Sequence, residues 1–135
     1  MGTLGIFKKW HVIRKFGRQG PDGTEYHDYL AFLNVQPLQS KEIMMLPEGE
    51  RRYKRVKVIG SNKYDLRCVD DDLGIPGDWL YYRGKWYRCE FANARDATPA
   101  GQTTAQFVEV KDTYDSVVME APDESELKEY DGERT

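Results

Sequence analysis

The sequence predicts a small all-β fold, a β-barrel or sandwich with one short helix and extended terminal arms. Strand-like runs recur about every ten residues and are separated by turn signals rich in Gly, Pro and Asn. The 135 residues, 39% hydrophobic and 13% aromatic, can fill one compact core in which Tyr and Trp bury much of the area. We therefore expect a barrel domain over residues 1–112 and an acidic C-terminal arm over residues 113–135.

The first predicted strand lies in IFKKWHVIRKF. Trp10 and Ile13 could share a helical face, but Trp10, Val12 and Arg14 also alternate as in a strand. Because Trp, Val, Ile and Phe dominate the segment, we predict a strand. The segment that follows, GRQGPDG at residues 17–23, holds three glycines and a proline, so we predict a mobile loop or hairpin tip.

The segment TEYHDYLAFLNVQP predicts a long second strand that ends at Pro37. Apolar side chains occupy both of its faces, which indicates a strand covered on both sides near its middle. LQSKEIMMLPEGE then predicts one or two helical turns with Ser40 as N-cap. We expect its apolar residues to plug one end of a barrel or to cover a sheet edge; they are Ile43, Met44 and Leu46.

Three further segments predict strands. RRYKRVKVIG should place Val56 and Val58 inside, with Arg55 facing out. YDLRCVD should follow an SNK turn as a strand with Leu66 and Cys68 on one face, and AQFVEV should close the fold after a loop at NARDATPAGQTT. The acidic segment DESELKEY predicts either a short helix capped by Asp123 or Ser125, or an extended arm that is ordered by a partner.

The segment GDWLYYRGKWYRCEF predicts a β-hairpin with Arg83 and Gly84 in its turn. This register places Tyr82 opposite Lys85, and it assigns three residues to the core, namely Leu80, Tyr87 and Cys89. The opposite face carries Trp79, Tyr81, Trp86 and Arg88. Such a face can stack single-stranded nucleic acid, or it can pack as a second small core or a subunit contact. Nearby acids favour packing, because carboxylates repel phosphates; these acids are Asp70, Asp71, Asp72 and Asp78.

The residues give no catalytic constellation, so we expect no enzyme activity and no cofactor. The two histidines, His11 and His27, belong to no nucleophile motif. Cys68 and Cys89 lack metal-ligand spacing and predict buried free thiols, with a disulfide or metal site as the alternative. We identify no secretory signal and no membrane span, which predicts a soluble chain made in the cytosol.

Charge is segregated along the chain despite a net charge of only −3. Basic residues precede the first acid and form a second run at residues 51–57, whereas acids dominate from Glu109 onward. This distribution suits contacts between copies or with a neighbouring subunit, and an ordinary solvated surface with a loose tail is the alternative.

The most specific pattern combines a QPL…LPEG.R segment, later strands and a D…Y.GK.Y hairpin, between Asn34 and Val110. This order resembles the small neck proteins of tailed bacteriophages, the head-closure, collar or head–tail connector family. The matching residues are Gln36, Pro37, Leu38, Leu46, Pro47, Glu48, Gly49, Arg51, Asp78, Tyr82, Gly84, Lys85 and Tyr87. The basic, aromatic start and the long acidic end depart from the family pattern, which leaves the neck layer open.

The resemblance implies a non-catalytic virion protein made in the bacterial host cytoplasm. Its copies, six or twelve, would form a ring that closes or extends the DNA channel and joins head to tail. The implied partners are a portal or connector protein on the head side and a tail-terminator or gateway protein on the tail side. Non-specific contact with channel DNA is left open, and no membrane is involved. Our candidate interface residues are Trp10, Arg51, Arg52, Lys54, Arg55, Trp79, Tyr81, Trp86, Arg88, Glu124, Glu126 and Tyr130.

Overall fold

A computed structural model of the chain describes residues 8–20, 23–50, 53–68, 77–94, 101–110 and 121–130. Within these residues six strands form a closed barrel in which neighbouring strands are antiparallel. The strands are β1 (Lys9–Gly20), β2 (Gly23–Pro37), β3 (Arg55–Ser61), β4 (Trp79–Tyr82), β5 (Lys85–Ala94) and β6 (Gln102–Glu109). Their order around the barrel is β1-β2-β3-β6-β5-β4, and β4 closes on β1. The predicted small all-β fold is confirmed, and it is a barrel rather than an open sandwich.

Strand β1 is buried on both of its faces. Ile13 packs in the barrel interior with residues of β2, β3 and β6, whereas Val12 and Phe16 pack in a second cluster outside it. Because successive side chains of a strand point to opposite sides, Val12 and Phe16 of the run VIRKF join the outer core, while Ile13 joins the barrel core. The predicted strand in this segment is confirmed, and so is β2, which is also covered on both sides near its middle.

The first two strands form a long hairpin. Gln19 pairs with Thr24 and Gly20 with Gly23, after a register shift between Phe16 and Gln19. Of the two predicted forms, the hairpin tip is confirmed, but β1 and β2 extend to Gly20 and Gly23 and so occupy most of residues 17–23. Residues 21–22 lie outside the described part. Cross-strand pairing outweighs the weak strand preference of glycine, and the bulge absorbs the irregularity.

The helix α1 (Ser40–Met44) lies outside the barrel. It begins after Gln39, whose backbone N–H donates to Glu42 Oε1 at 3.1 Å, so the prediction that Ser40 is the N-cap is wrong. Of the residues predicted to plug a barrel end or to cover a sheet edge, Met44 is 62% exposed and does neither, whereas Ile43 and Leu46 are half-buried. Leu38, just before the helix, is buried.

The segment after β3 turns sharply and does not form the predicted strand. Asn62–Tyr64 is a 3₁₀ turn, and Asp65 has a φ of 50°, in the left-handed region. This turn sends both Tyr64 and Leu66 into the barrel core. Residues 65–68 belong to no strand.

The predicted β4–β5 hairpin is confirmed, with Tyr82 opposite Lys85 and Leu80 opposite Tyr87. Arg83 and Gly84 have φ values of 50° and 80°, as the two-residue hairpin turn requires. Strands β5 and β6 also extend into the predicted loop NARDATPAGQTT, because Asn93 pairs with Thr104. That loop is therefore shorter than predicted.

The described part of the C-terminal arm packs on the barrel. A 3₁₀ turn at Glu124–Glu126 is capped by Asp123, and the chain then runs parallel to β2 through a bridge between Leu30 and Glu129. The Leu30 N–H donates to the Lys128 carbonyl at 2.8 Å, and the Tyr130 N–H donates to the Leu30 carbonyl at 3.0 Å. The predicted short helix is present as a single 3₁₀ turn capped by Asp123, and the extended residues after it pack on the chain's own barrel rather than on a partner. Among the described residues, none of the helices has the length and hydrophobicity that crossing a bilayer requires.

Gly60 in β3 marks a place where the backbone is packed tightly. A Cβ built there would lie 2.4 Å from Leu33 Cδ2, inside a core where Leu33 is fully buried. We expect Gly60→Ala to lower the free energy of unfolding by about 1–3 kcal/mol, the usual effect of overpacking. Urea denaturation measures this, with Gly49→Ala as the control, because a Cβ at Gly49 meets nothing within 4 Å. Equal losses in both variants would contradict this account of the core.

Candidate functional site

A buried ion pair lies inside one end of the barrel. Lys15 Nζ is 2.6 Å from Asp78 Oδ2, and both side chains are fully buried. The same ammonium donates to the carbonyls of Tyr64 and Asp65, each at 2.6 Å, and it lies 4.6 Å from the centre of the Tyr130 ring. Three donated hydrogen bonds satisfy an ammonium group, which makes Lys15 a structural cation rather than an accessible nucleophile.

Asp78 connects this ion pair to the rest of the barrel end. Its carboxylate accepts from the Arg67 N–H at 2.9 Å, and its own N–H donates to the Arg67 carbonyl at 2.9 Å. Its carbonyl accepts from the Cys89 N–H at 2.9 Å. Asp78 therefore joins the turn after β3 to β4 and β5, which explains its complete burial.

The two cysteines meet beside this network. Cys68 Sγ lies 3.7 Å from Cys89 Sγ, and both are free thiols. Burial, reinforced by the neighbouring Cys68, raises the pKa of the Cys89 thiol well above its ordinary value. Both cysteines are free as predicted, but only Cys89 is buried and Cys68 is partly exposed. The raised pKa makes the Cys89 thiol a poor nucleophile. The described residues contain no group of three or more His, Cys, Asp or Glu side chains placed to hold a metal ion.

Tyr64 fastens the C-terminal segment to the barrel. Its hydroxyl donates to Glu129 and accepts from the Phe32 N–H at 3.0 Å, while Lys63 Nζ lies 3.0 Å from the same Glu129 carboxylate. Burial, followed by the hydrogen bond to Glu129, raises the pKa of Tyr64 to about 12. The phenol is therefore protonated in the folded protein at neutral pH.

The aromatic face of the hairpin forms the second core of the same chain. Trp79 and Trp86 are 3% and 2% exposed, and they pack with Val12, Phe16 and Val110. This is the second packed face that the sequence predicted as one alternative. A ligand cannot stack on rings that are already covered by side chains of their own barrel.

Arg14 is a buried cation within that outer cluster. Its guanidinium carbon lies 4.0 Å from the centre of the Tyr26 ring and 4.2 Å from the centre of the Trp86 ring. Two of its nitrogens bind Asp28, at 2.7 and 3.0 Å. Asp28 stands directly opposite Arg14 across the β1–β2 pair, so the strand register itself brings the two together.

The predicted interface residues fall into three groups. Trp79, Trp86, Arg55 and Tyr130 are buried within the chain, and Arg55 forms a two-point ion pair with Glu90 at 2.7 and 3.1 Å. Arg51 and Arg52 lie outside the described residues. The remaining candidates are half-buried or exposed; they are Trp10, Lys54, Tyr81, Arg88, Glu124 and Glu126. An interface role stays a prediction for all of them.

Glu90 accepts from Gln106 Nε2 at 3.1 Å in addition to its ion pair with Arg55. Burial opposes ionisation of this carboxyl, but the hydrogen bonds from Arg55 and Gln106 outweigh it and hold its pKa below the ordinary value. Arg55 was expected to face solvent; it faces outward but is covered, because this ion pair holds it against the barrel wall.

One end of the barrel carries an open groove that the sequence did not reveal. It encloses about 670 Å³ and is lined by Lys9, His11, Asn34, Val35, Gln36, Tyr82 and Arg83. We call it the basic groove. A second groove of about 350 Å³ shares Tyr82 and Arg83 with it and adds Lys54 and Lys85. Within the described residues, Lys9 and Arg83 form no ion pair with a carboxylate, whereas Lys85 is paired with Glu109 at 2.9 Å.

His11 lies beside Tyr82 in the basic groove, with ring centres 5.8 Å apart. Burial, followed by the charge of Lys9, lowers the pKa of His11, so the imidazole is neutral at neutral pH. The cations of the groove are therefore Lys9 and Arg83. Sequence reasoning missed the groove because its residues come from three separate strands and only the barrel closure unites them.

Stability at alkaline pH should depend on Tyr64. Its pKa of about 12 when folded exceeds the ordinary value near 10 of an unfolded chain. The unfolded state therefore releases this proton first, so stabilisation by Tyr64 is intact below pH 10 and is lost as the pH rises toward 12. We expect the free energy of unfolding to fall more steeply between pH 10 and 12 in the parent protein than in Tyr64→Phe, as followed by urea denaturation. Parallel pH profiles would contradict the docking role of Tyr64.

Comparison with known proteins assigns no family. A scan against models of protein families finds no match, and a search of curated proteins finds no significant relative. The resemblance to phage neck proteins therefore rests on the motif residues between Asn34 and Val110 alone.

Proposed function

We propose that this protein is a structural, non-catalytic component of the neck of a tailed bacteriophage. Its copies form a ring between portal and tail that closes or extends the DNA channel and joins the head to the tail. The observation that carries the proposal is the charge polarity of the barrel, with the basic groove at one end and an acidic turn toward the other. The motif resemblance supplies the biological setting, which is the virion neck.

The polarity follows from the strand register. Because Glu129 bridges to Leu30 in parallel, residues that precede Glu129 run alongside residues that precede Leu30. The acidic turn, Glu124–Glu126 with Asp123, therefore lies toward the Tyr26 end of β2. Asn34 of the basic groove lies four residues beyond Leu30 in the other direction, about 13 Å away at strand spacing. The two charged features consequently face different neighbours.

Complementary surfaces on different parts of one molecule suit head-to-tail association. Such heterologous contacts close into a ring when the rotation between copies allows it. Exposed apolar side chains are available to extend these contacts, since Trp10 is 52% exposed, Phe91 51% and Met45 86%. Aromatic and Met side chains are enriched in the cores of protein interfaces.

The structural use of reactive groups supports a non-catalytic role. Lys15 and Asp78 satisfy each other in the barrel interior, and burial raises the pKa of the Cys89 thiol. A catalytic group has to reach its substrate, and these groups are covered by their own chain. The basic groove could still contact channel DNA through phosphates, without reading sequence.

The rival function is single-strand binding by an OB-like barrel. It relied on Trp79, Tyr81, Trp86 and Arg88, and it has less support because both tryptophans are buried. The six-stranded closed barrel also differs from the five-stranded, partly open OB-fold. Only Arg88 of that set is fully on the surface.

Mass photometry of neck complexes purified from virions tests the proposal. We expect a ring with six or twelve copies of this chain, associated with portal and tail proteins. The matched control is a Trp-fluorescence titration of the purified chain with a single-stranded oligonucleotide, where we expect no quenching at low salt. A strictly monomeric protein that is absent from particles would overturn the proposal, and salt-sensitive quenching would favour the rival.

A further inference from the structure

Two cysteine side chains meet at the edge of the barrel core. Cys68 Sγ lies 3.7 Å from Cys89 Sγ, although the two residues are 21 positions apart in the chain. They are the only cysteines in the sequence, so neither has a competing thiol in the same molecule. A disulfide bond joins sulfurs about 2 Å apart, so closing this pair requires the two sulfurs to approach each other by less than about 2 Å.

Backbone hydrogen bonds hold the two cysteines next to each other. Arg67, which precedes Cys68, donates its N–H to the Asp78 carboxylate and accepts from the Asp78 N–H, each at 2.9 Å. The Cys89 N–H donates to the Asp78 carbonyl, also at 2.9 Å. One buried residue, Asp78, therefore anchors both sides of the pair. Groups held together in this way react as if each were present at a very high concentration around the other.

The two thiols differ in their access to solvent. Cys89 is 4% exposed, and its thiol donates to the Phe91 carbonyl at 3.5 Å. Burial raises the pKa of the Cys89 thiol well above its ordinary value, whereas Cys68 is partly exposed. An oxidant in solution therefore meets Cys68 first, and Cys89 reacts only with a sulfur that Cys68 presents to it.

We propose that Cys68 and Cys89 form a reversible redox site, which a low-molecular-weight disulfide such as oxidised glutathione converts to an intramolecular disulfide. The Cys68 thiolate attacks one glutathione sulfur, which gives a mixed disulfide and releases the first glutathione as a thiolate that takes up the Cys68 proton. The Cys89 sulfur then attacks the Cys68 sulfur, and the second glutathione leaves with the Cys89 proton. Two protein thiols are oxidised, and one glutathione disulfide is reduced to two glutathione thiols.

The disulfide would fasten the turn after β3 to β5. The same turn supplies the Tyr64 and Asp65 carbonyls that accept from Lys15. The new bond is therefore a covalent brace at the end of the barrel that holds the buried ion pair. This inference goes beyond the proposed function and does not depend on it. In a virion component, the brace would form when the particle leaves a reducing cytoplasm for an oxidising medium.

A glutathione titration of the full chain tests the site. The reduced protein is equilibrated at increasing ratios of oxidised to reduced glutathione and quenched in acid. Its thiols are then labelled with N-ethylmaleimide in urea, and the intact protein is weighed. We expect a monomer that loses both labels together and carries no glutathione. When the titration itself is run in urea, the equilibrium constant for closure should be at least about tenfold smaller, because unfolding separates the sulfurs.

Three results of this titration would overturn the proposal. They are a chain that stays reduced at the most oxidising ratio, a chain that ends with a glutathione on each cysteine, and a chain that is linked into dimers. Non-reducing electrophoresis of the same samples identifies the dimers.

Single variants test the order of the two steps. Cys89→Ala leaves Cys68 alone and should take up one glutathione, whereas folded Cys68→Ala leaves only the covered Cys89 and should take up none. Equal glutathione uptake by both folded variants would overturn the assignment of Cys68 as the entry point. Circular dichroism checks folding, and if Cys89→Ala does not fold, the titration of the parent protein decides alone.

Urea denaturation of the oxidised and reduced parent protein tests the brace. The oxidised chain should unfold at a urea midpoint higher by roughly 1 M, because the bond restricts the unfolded chain. Cys68→Ala is the matched control, and its midpoint should be the same in oxidised and reduced glutathione. An oxidised parent protein whose midpoint is not raised would overturn the bracing role.

Discussion

The ion pair between Lys15 and Asp78 is the interaction on which the rest of the barrel depends. It joins β1, the turn after β3, the residue before β4 and, through the Tyr130 ring, the C-terminal segment. Removing two charges from water is unfavourable by several kcal/mol per ion, and only complete hydrogen bonding offsets it. Lys15 donates three hydrogen bonds and Asp78 accepts from Arg67, so this condition is met. The pair therefore fixes the position of the turn after β3 relative to β1 and β4.

Strand β1 places a second buried cation next to the first. Arg14 and Lys15 are adjacent, so they point to opposite sides of the sheet, one between aromatic rings and one into the barrel. Each side has its own carboxylate, Asp28 for Arg14 and Asp78 for Lys15. The aromatic hairpin therefore packs over Arg14. Its tryptophans are buried in that contact and offer no exposed ring on which a ligand could stack. The large apolar side chains that stay exposed in the described residues are scattered; they are Trp10, Met44, Met45 and Phe91.

Local chemistry explains which elements could be predicted from sequence. The Arg83–Gly84 turn and its register followed from the need for positive φ, and the strands followed from alternation of apolar residues. The turn at Asp65 could not be predicted, because a left-handed Asp leaves no pattern in its neighbours. From the sequence, Arg14 and Lys15 look like surface charges. The apolar residues on both sides of them were the available sign that these two side chains are buried.

The most direct measurement is a double-mutant cycle on the buried pair, using Lys15→Met, Asp78→Asn and the double variant. Urea denaturation, with trimethylamine N-oxide added to keep weakened variants folded, gives the free energy of unfolding for each. We predict that each single change lowers stability by about 3–5 kcal/mol, because each leaves a buried charge unpaired. The double variant should lose less than the sum, with a coupling of about 1–3 kcal/mol. Small single effects that simply add would contradict the account, because Lys15 and Asp78 would then not organise this end of the barrel.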